Sequence, residues 1–309
     1  MTVVDKEYLR KIACEFADNS PTNHLSPIAR TDEELEKVKE LYYANNFGRN
    51  NAGRGNWDIL NCDKPDEYVG MRFYKHPILA FGSASDPLFQ KLREPGVVGP
   101  HHYLPTDWLP GAKTVISIFT PFDDKVIESN TKDINVVSME WRYTRIDGQQ
   151  HLLATGAAIR DALIAAGYNA VMPQAEDAYW SKVFDDGDET KPIYSTNWAE
   201  RHVGWVAGLG TFGLHTNFIS KSGTCGRLMS VVTDWEAEPD AKDYAGVYDY
   251  CSKCNVCLDS PCGALTSDGK VIPKCGAYVR KMNETGSPFR VGCGKCMAGM
   301  PCAVQSCMA

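Results

Sequence analysis

The sequence lacks any apolar run long enough to cross a membrane. Its 309 residues contain only short apolar stretches, such as residues 115–119, whereas a spanning helix needs about 20 apolar residues. It also lacks a basic stretch followed by an apolar segment near Met1, so neither a secretory nor a twin-arginine leader is predicted. We therefore expect a cytoplasmic protein that has no membrane partner.

Positive charge is also scarce. The chain has 32 Lys and Arg residues against 39 Asp and Glu residues, which gives a net charge of −7. Binding to a phosphate backbone depends on basic patches, so nucleic acid is not expected as a partner. Hydrophobic residues make up 43% and charged residues 23% of the chain, which is ordinary for a globular protein and excludes a disordered one. The length and the cysteine-rich end favour a large domain over residues 1–248 and a small one over residues 249–309.

Helices and strands are predicted to alternate without a regular parallel rhythm. A candidate N-cap followed by acidic residues predicts a helix over residues 31–45. Apolar periodicity and β-branched runs predict strands at 113–119, 168–172 and 228–233, and helices at 150–166 and 199–207. This pattern favours an α+β fold with mixed layers over a doubly wound parallel sheet.

Cysteine is sparse before residue 250 and dense after it. Of the 12 cysteines, only Cys14, Cys62 and Cys225 occur early, and the others lie between Cys251 and Cys307. A chain without a secretory leader is expected in a reducing compartment. There, such a concentration is typical of metal ligands rather than of disulfides.

The spacing of these cysteines predicts two [4Fe-4S] clusters. A C-x2-C-x2-C run starts at Cys251, and a C-x2-C pair starts at Cys293. In bacterial two-cluster ferredoxins the fourth cysteine of such a run binds the other cluster. This crossover assigns one cluster to Cys251, Cys254, Cys257 and Cys302, and the other to Cys262, Cys275, Cys293 and Cys296. Structural zinc is the alternative, because C-x2-C pairs often bind it, but three thiolates so closely spaced would crowd one tetrahedral ion.

Two details differ from the usual ferredoxin run. Four residues rather than three separate Cys257 from Cys262, and Pro261 precedes that cysteine instead of following it. Pro301 stands in the same place before Cys302. The loops must therefore differ from those of bacterial ferredoxins. Eight cysteines of the segment still suffice for two four-thiolate sites, and Cys307 is not needed as a ligand.

A glycine-rich segment at residues 208–213 matches G-x-G-x-x-G, and Asp234 follows it. Such a match resembles a dinucleotide-binding fingerprint, which needs a strand before it and a helix after it. Here a predicted helix precedes the glycines, and a strand and turn follow at residues 215–223, which argues against a nicotinamide cofactor. Two interpretations stay open: glycines that permit tight turns, or a backbone that lies against a large planar cofactor.

Several segments in a fixed order carry a family resemblance: residues 207–213, 222–228 and 231–234, followed by the cysteine module. In this order the chain resembles the cobalamin-dependent epoxyqueuosine reductase and reductive dehalogenase superfamily. The resemblance implies a nitroreductase-like α+β core with base-off cobalamin, beside a ferredoxin-like module with two [4Fe-4S] clusters. It implies a low-potential electron donor such as ferredoxin or flavodoxin. The residues that it places at the corrinoid are Gly208, Leu209, Gly210 and Gly213, with His215 and His102 as further candidates.

One further feature agrees with this resemblance. The D-x-H-x-x-G motif of histidine-bound cobalamin is absent from the sequence. A corrinoid without a lower axial ligand is easier to reduce, because no donor raises the energy of the added electron.

The resemblance also implies a proton donor within residues 142–147. The aspartate of epoxyqueuosine reductases corresponds to Asp147, and the tyrosine of reductive dehalogenases corresponds to Tyr143. An acid must be held neutral to donate a proton, whereas a tyrosine must release its proton more easily. Arg142 and Arg145 are close in sequence, and nearby positive charge favours the tyrosine. A helix cap for Asp147 and a core position for Tyr143 are the structural alternatives.

The activity that the resemblance implies is reductive cleavage of a small organic molecule, as in a dehalogenase. Three alternatives stay open. The chain could be an electron carrier or reductive activator for a corrinoid partner, a protein that handles cobalamin without turnover, or an epoxyqueuosine reductase acting on tRNA. The net charge of −7 weighs against tRNA.

Overall fold

The computed structural model describes residues 4–34, 64–183, 194–284 and 290–307. The helix predicted over residues 31–45 is helical at 32–34, and its remainder lies outside the described residues. Helical segments include α1 (Lys6–Asn19), α2 (Leu88–Lys91), α3 (Pro105–Trp108), α4 (Asp124–Ser129), α5 (Met139–Ile146), α6 (Gln149–Ala165), α7 (Glu200–Ala207) and α8 (Ile272–Glu284). Strands include β1 (Ile78–Ser83), β2 (Thr114–Pro121), β3 (Ala170–Val171), β4 (Ser181–Val183), β5 (Tyr194–Thr196), β6 (Gly210–Phe212), β7 (Phe218–Ser220), β8 (Gly226–Thr233), β9 (Leu265–Thr266) and β10 (Gly269–Lys270).

A four-stranded antiparallel sheet has the order β1-β2-β8-β3. β2 lies between β1 and β8, and all of its residues are buried. Val115, Ile116, Ile118 and Phe119 supply β-branched and aromatic side chains to both faces of this strand. Because neighbouring strands of this sheet are antiparallel, it is not a doubly wound parallel sheet, and the predicted α+β class is confirmed.

Helices cover both faces of this sheet. On one face, α1 and α6 pack against Leu79, Ile118 and Met229. On the other face, α7 packs against Val115 and Val232. The side chains that face α1 and α6 alternate along the strands with those that face α7, because successive side chains of a strand point to opposite faces. The helices predicted at 150–166 and 199–207 are confirmed as α6 and α7 within one residue at their ends.

The remaining strands form short antiparallel pairs, β4 with β5, β6 with β7, and β9 with β10. The strand predicted at residues 168–172 is shorter than expected and consists of β3 alone. Among the helices of the described residues, none combines the length and the apolar character needed to cross a bilayer.

The cysteine-rich end is hydrogen-bonded to the core through its backbone. Thr224 N–H donates to the Cys302 carbonyl at 2.8 Å, and Cys225 N–H donates to the Ala303 carbonyl at 3.1 Å. Gly223 permits this approach, because a Cβ there would lie 2.5 Å from the Ala303 carbonyl oxygen. The structure thus joins the two predicted domains closely, and their boundary at residue 248 stays a prediction.

Candidate metal centre and active site

The predicted ligands of the first cluster lie near one another. The pKa of Cys302 is raised to about 12, first by burial and then by the neighbouring thiols of Cys307, Cys251 and Cys257. The pKa of Cys257 is raised to about 11 by burial and then by Cys251 and Cys254. Because thiolates repel one another strongly only at short range, Cys302 lies beside the C-x2-C-x2-C run despite its distance in sequence.

The other four predicted ligands form a second group. Burial raises the pKa of Cys275, and its neighbours Cys296 and Cys262 act in the same direction. Burial also raises the pKa of Cys293 to about 11, with further contributions from Cys296 and Cys275. Cys296 contributes to the raised pKa of Cys257 as well, so the two groups are adjacent.

The neighbours named in these pKa shifts are compatible with the crossover, and the assignment of each cysteine to a cluster stays a prediction. All cysteines of the described residues are free thiols. Thiolates are the protein ligands of iron–sulfur clusters, so the donor set fits two four-thiolate clusters, although ligation itself stays a prediction. Within the described ranges, no group of three or more His, Cys, Asp or Glu side chains is arranged to hold a single metal ion. In a cubane each thiolate binds a different iron, so the four sulfurs do not converge on one point.

One buried thiol that sequence spacing did not indicate lies near a predicted ligand of each group. Cys225 is fully buried, and its pKa is raised by burial and then by Cys302 and Cys296. These two neighbours belong to different groups, so Cys225 is next to both. It is isolated in sequence, and no spacing pattern could have marked it.

The glycine-rich segment begins where α7 ends. Gly208 has a φ of +96°, the left-handed conformation with which many helices terminate. Leu209 N–H then donates to the Gly204 carbonyl at 2.9 Å, and β6 follows. The dinucleotide fingerprint has the opposite order, with a strand before the glycines and a helix after them.

Leu209 and Gly210, the next two residues of the segment, pack against other parts of the chain. Leu209 lies in an apolar cluster with Phe119 and Phe218. A Cβ on Gly210 would lie 2.1 Å from the Ile219 carbonyl oxygen. The glycine spacing thus has a steric explanation within the β6–β7 pair, and a corrinoid contact of these residues stays a prediction.

His215 lies in the turn between β6 and β7, against the first cysteine group. Its Nε2 is 3.4 Å from Cys302 Sγ, and its Nδ1 accepts a hydrogen bond from Asn217 N–H at 3.0 Å. Gly213 makes room for the ring, because a Cβ there would lie 2.6 Å from it. Burial lowers the pKa of His215 to about 3, so the imidazole is neutral at pH 7. Both ring nitrogens have protein neighbours, and a corrinoid contact of His215 also stays a prediction.

His102, the other predicted cofactor contact, is buried in the core. Its ring stacks on Trp198 with centroids 5.4 Å apart, and its Nε2 accepts a hydrogen bond from Ala199 N–H at 3.2 Å. Ala199 precedes α7, so the histidine satisfies a backbone donor at the start of that helix. Burial lowers the pKa of His102 to about 3. These contacts give His102 a structural role, and its cofactor role stays a prediction.

The two predicted proton donors, Tyr143 and Asp147, lie around the buried Arg290. Arg290 Nε donates to Asp147 Oδ2 at 2.7 Å, and Arg290 Nη2 donates to Oδ1 at 3.2 Å. Lys64 Nζ lies 3.6 Å from the same carboxylate. The guanidinium carbon of Arg290 lies 4.8 Å from the centre of the Tyr143 ring. We define these four residues as the candidate active site.

Arg142 and Arg145 have a structural role that the sequence did not indicate. The Arg142 guanidinium donates to the carbonyls of Met282 at 2.6 Å and Arg290 at 3.0 Å. Arg145 donates to the Val291 carbonyl at 2.6 Å. The cation over the Tyr143 ring is Arg290, which sequence reasoning missed because no local pattern links it to α5.

No family model matches the sequence, and a search of curated proteins gives no match. Several solved structures are similar. A variant of the catabolic reductive dehalogenase NpRdhA has a TM-score of 0.50 at 13% identity, over 95% of this chain and 41% of that one. A selenomethionine-labelled epoxyqueuosine reductase has a TM-score of 0.48 at 17% identity, over 87% of this chain and 66% of that one. An epoxyqueuosine reductase with an epoxyqueuosine-modified tRNA stem loop has a TM-score of 0.46 at 16% identity, over 87% of this chain and 66% of that one.

The likeness to the reductive dehalogenase variant confirms the predicted resemblance at the level of the fold. The chain spans 41% to 66% of the length of these three structures. The expectation that nucleic acid is not a partner stays a prediction.

Proposed function

We propose that the chain is an iron–sulfur reductase whose two [4Fe-4S] clusters supply electrons for reductive cleavage of a small organic substrate. The supporting observation is that thiols far apart in sequence lie close enough to raise one another's pKa: Cys302 is near Cys307, Cys251 and Cys257, and Cys275 is near Cys296 and Cys262. Burial raises the pKa of Cys302, Cys257 and Cys293 first and neighbouring thiols raise it further, so free thiolates at these positions would repel one another. Cluster binding removes this repulsion, because the positive charge of iron stabilises the thiolates.

We propose that electrons enter at the first cluster and pass to the second. Of the eight predicted ligands, Cys254 alone is exposed, so a low-potential donor such as ferredoxin or flavodoxin can approach the first cluster closely there. Cys296 of the second group is close enough to Cys257 of the first group to raise the pKa of Cys257. Such proximity favours transfer between the clusters, because the rate of electron transfer falls steeply with distance.

We propose Tyr143 as the proton donor in preference to Asp147. The Asp147 carboxylate is paired with Arg290 and Lys64, which suits an anion that holds these two cations in place. The Arg290 guanidinium lies over the Tyr143 ring, where it stabilises the negative charge that develops on the phenol as the proton leaves. Asp147 is then a positioning residue for Arg290.

The resemblance adds cobalamin, which supplies a strongly reducing cobalt centre when it is bound. Five of the residues predicted to contact it are buried among protein neighbours, namely Leu209, Gly210, Gly213, His215 and His102, and their contact with a corrinoid stays a prediction. Cobalamin binding is therefore a question separate from the clusters, and it needs its own measurement.

Anaerobic purification with iron, sulfide and zinc analysis tests the clusters. We expect about eight iron and about eight sulfide per chain. Stoichiometric zinc without sulfide would contradict the proposal. Cobalamin added to the purified protein is expected to shift its spectrum toward the base-off form, and tight binding of flavin or nicotinamide instead would contradict only the corrinoid part.

The substrate class is tested by comparing a small organohalide with a tRNA that carries epoxyqueuosine, under the same low-potential donor. We expect turnover of the small molecule. Turnover of the tRNA alone would favour the epoxyqueuosine reductase alternative. Reduction of a corrinoid protein without turnover of either compound would favour the electron carrier.

A further inference from the structure

The turn between β6 and β7 contacts both cysteine groups. His215 Nε2 lies 3.4 Å from Cys302 Sγ, and Asn217 Nδ2 lies 3.5 Å from Cys296 Sγ. Cys302 is a predicted ligand of the first cluster, and Cys296 is a predicted ligand of the second. Two side chains of one turn therefore each reach a sulfur of a different group.

The backbone of this turn holds the two side chains beside each other. Gly213 N–H donates to the Asn217 carbonyl at 2.9 Å, and Thr216 N–H donates to the Gly213 carbonyl at 2.8 Å. Thr216 has a φ of +61°, a left-handed conformation that residues other than glycine seldom adopt. Gly213 leaves the space that the His215 ring fills. The third glycine of the G-x-G-x-x-G segment thus serves to place His215.

Both side chains donate hydrogen bonds to sulfur. Asn217 N–H donates to His215 Nδ1, so the neutral ring carries its hydrogen on Nε2, which faces Cys302 Sγ. The Asn217 side-chain amide is the donor to Cys296 Sγ. His215 is 1% exposed and Asn217 is 6% exposed, so water has little access to either bond.

We propose that His215 and Asn217 each raise the reduction potential of one cluster. This inference rests on the proposed function, because it takes Cys302 and Cys296 as cluster ligands. A reduced cluster carries one more negative charge than the oxidised cluster, and N–H donors to its sulfurs stabilise that charge. His215 therefore raises the potential of the first cluster, and Asn217 raises that of the second.

A redox titration of the purified protein, monitored by electron paramagnetic resonance, measures the two potentials. His215→Phe keeps an aromatic ring and removes the donor, and Asn217→Leu removes the amide at similar volume. We expect His215→Phe to shift the midpoint of one cluster to a more negative value and to leave the other unchanged. Asn217→Leu should shift only the other cluster. Equal shifts of both clusters, or no shift in either variant, would overturn the inference.

His151→Phe is the matched control. His151 is also a buried histidine, but it stacks between Phe16 and Tyr74 and bonds to Thr22. We expect both midpoints of this variant to equal those of the wild type. Equal midpoint shifts in His151→Phe and His215→Phe would show a general effect of core substitution and would contradict the inference.

A second variant covers the case in which His215→Phe loses its cluster. His215→Gln retains an N–H donor, and we expect it to keep two clusters with midpoints closer to the wild type. Loss of the cluster in His215→Gln, together with unshifted midpoints in Asn217→Leu, would overturn the inference. Zinc in place of iron in the wild type would instead refute the proposed function, whereas two clusters with unshifted midpoints in both donor variants would refute only the tuning.

Discussion

Arg290 and Asp147 form a buried ion pair, with Arg290 Nε 2.7 Å from Asp147 Oδ2 and side-chain exposures of 0% and 6%. Arg290 belongs to the cysteine-rich end, and Asp147 follows α5, which carries Tyr143. The pair therefore connects the candidate proton donor with the module that holds the predicted clusters. The bonds of Arg142 and Arg145 to backbone carbonyls of the same module reinforce this connection.

Removal of one partner of this pair should destabilise the protein strongly. We expect Arg290→Met to lower the free energy of unfolding by about 3–5 kcal/mol, because it deprives the buried Asp147 carboxylate of its closest partner. The measurement is chemical denaturation of the anaerobic protein. The double variant Arg290→Met with Asp147→Leu should recover a large part of the loss, since it buries no unpaired charge.

The exposed pair of Lys75 and Asp124, with an Nζ–Oδ1 distance of 2.6 Å, provides the control for that experiment. Its side chains are 37% and 64% exposed, so Lys75→Met should change stability by less than about 1 kcal/mol. Similar losses in Arg290→Met and Lys75→Met would mean that burial does not strengthen the Arg290–Asp147 pair.

Tyr143→Phe should slow the chemical step once a substrate is known. We expect a loss of about 100-fold or more in single-turnover rate, because the variant lacks the proton that the proposed donor transfers. Cluster content should stay unchanged. Tyr68→Phe is the control, since its ring lies 5.4 Å from that of Tyr143 and has no role in proton transfer here. A full rate in Tyr143→Phe with a large loss in Asp147→Asn would reverse the assignment.

Cys302→Ala should damage the cluster that the C-x2-C-x2-C run holds and leave the other cluster intact. The reason is the crossover, which places Cys302 beside Cys251 and Cys257. Iron analysis and electron paramagnetic resonance should show the loss of one of two clusters. Cys225→Ala removes a thiol next to both groups that is not a predicted ligand, and it should retain both clusters. Loss of a cluster in Cys225→Ala would show that the ligand set has been assigned wrongly.

Gly210→Ala should lower stability because the new Cβ would meet the Ile219 carbonyl oxygen. A loss of about 1–3 kcal/mol or more is expected from such overpacking. Gly276→Ala in α8 is the control, because a Cβ added there would lie 3.5 Å from the flexible Arg280 side chain. This variant should stabilise the helix by about 0.5–1 kcal/mol. Unchanged stability of Gly210→Ala with impaired cobalamin binding would support a corrinoid contact at this glycine instead.

The sequence by itself determined the α+β class, and it predicts an assignment of the cysteines to two clusters. The elements could be predicted because their apolar periodicity is local: β2 and α6 each carry the repeat that matches their own geometry. The assignment of the cysteines to two clusters stays a prediction, which rests on the short, recurrent spacings of thiol ligands and on the crossover rule for the long-range connection. The fold likeness to reductive dehalogenases agrees with the order of motifs in the chain.

Only the tertiary structure decided which groups stand next to the predicted sites. Arg290 over Tyr143 and Asn217 against Cys296 are contacts between residues far apart in sequence. Cys225 is likewise distant in sequence from Cys302 and Cys296, which both raise its pKa after burial. The tertiary structure also explains sterically why glycine stands at position 210, because the atoms that would clash with a Cβ there belong to another strand, β7. Such neighbours depend on how helices and strands pack, and local periodicity and spacing carry no record of that packing.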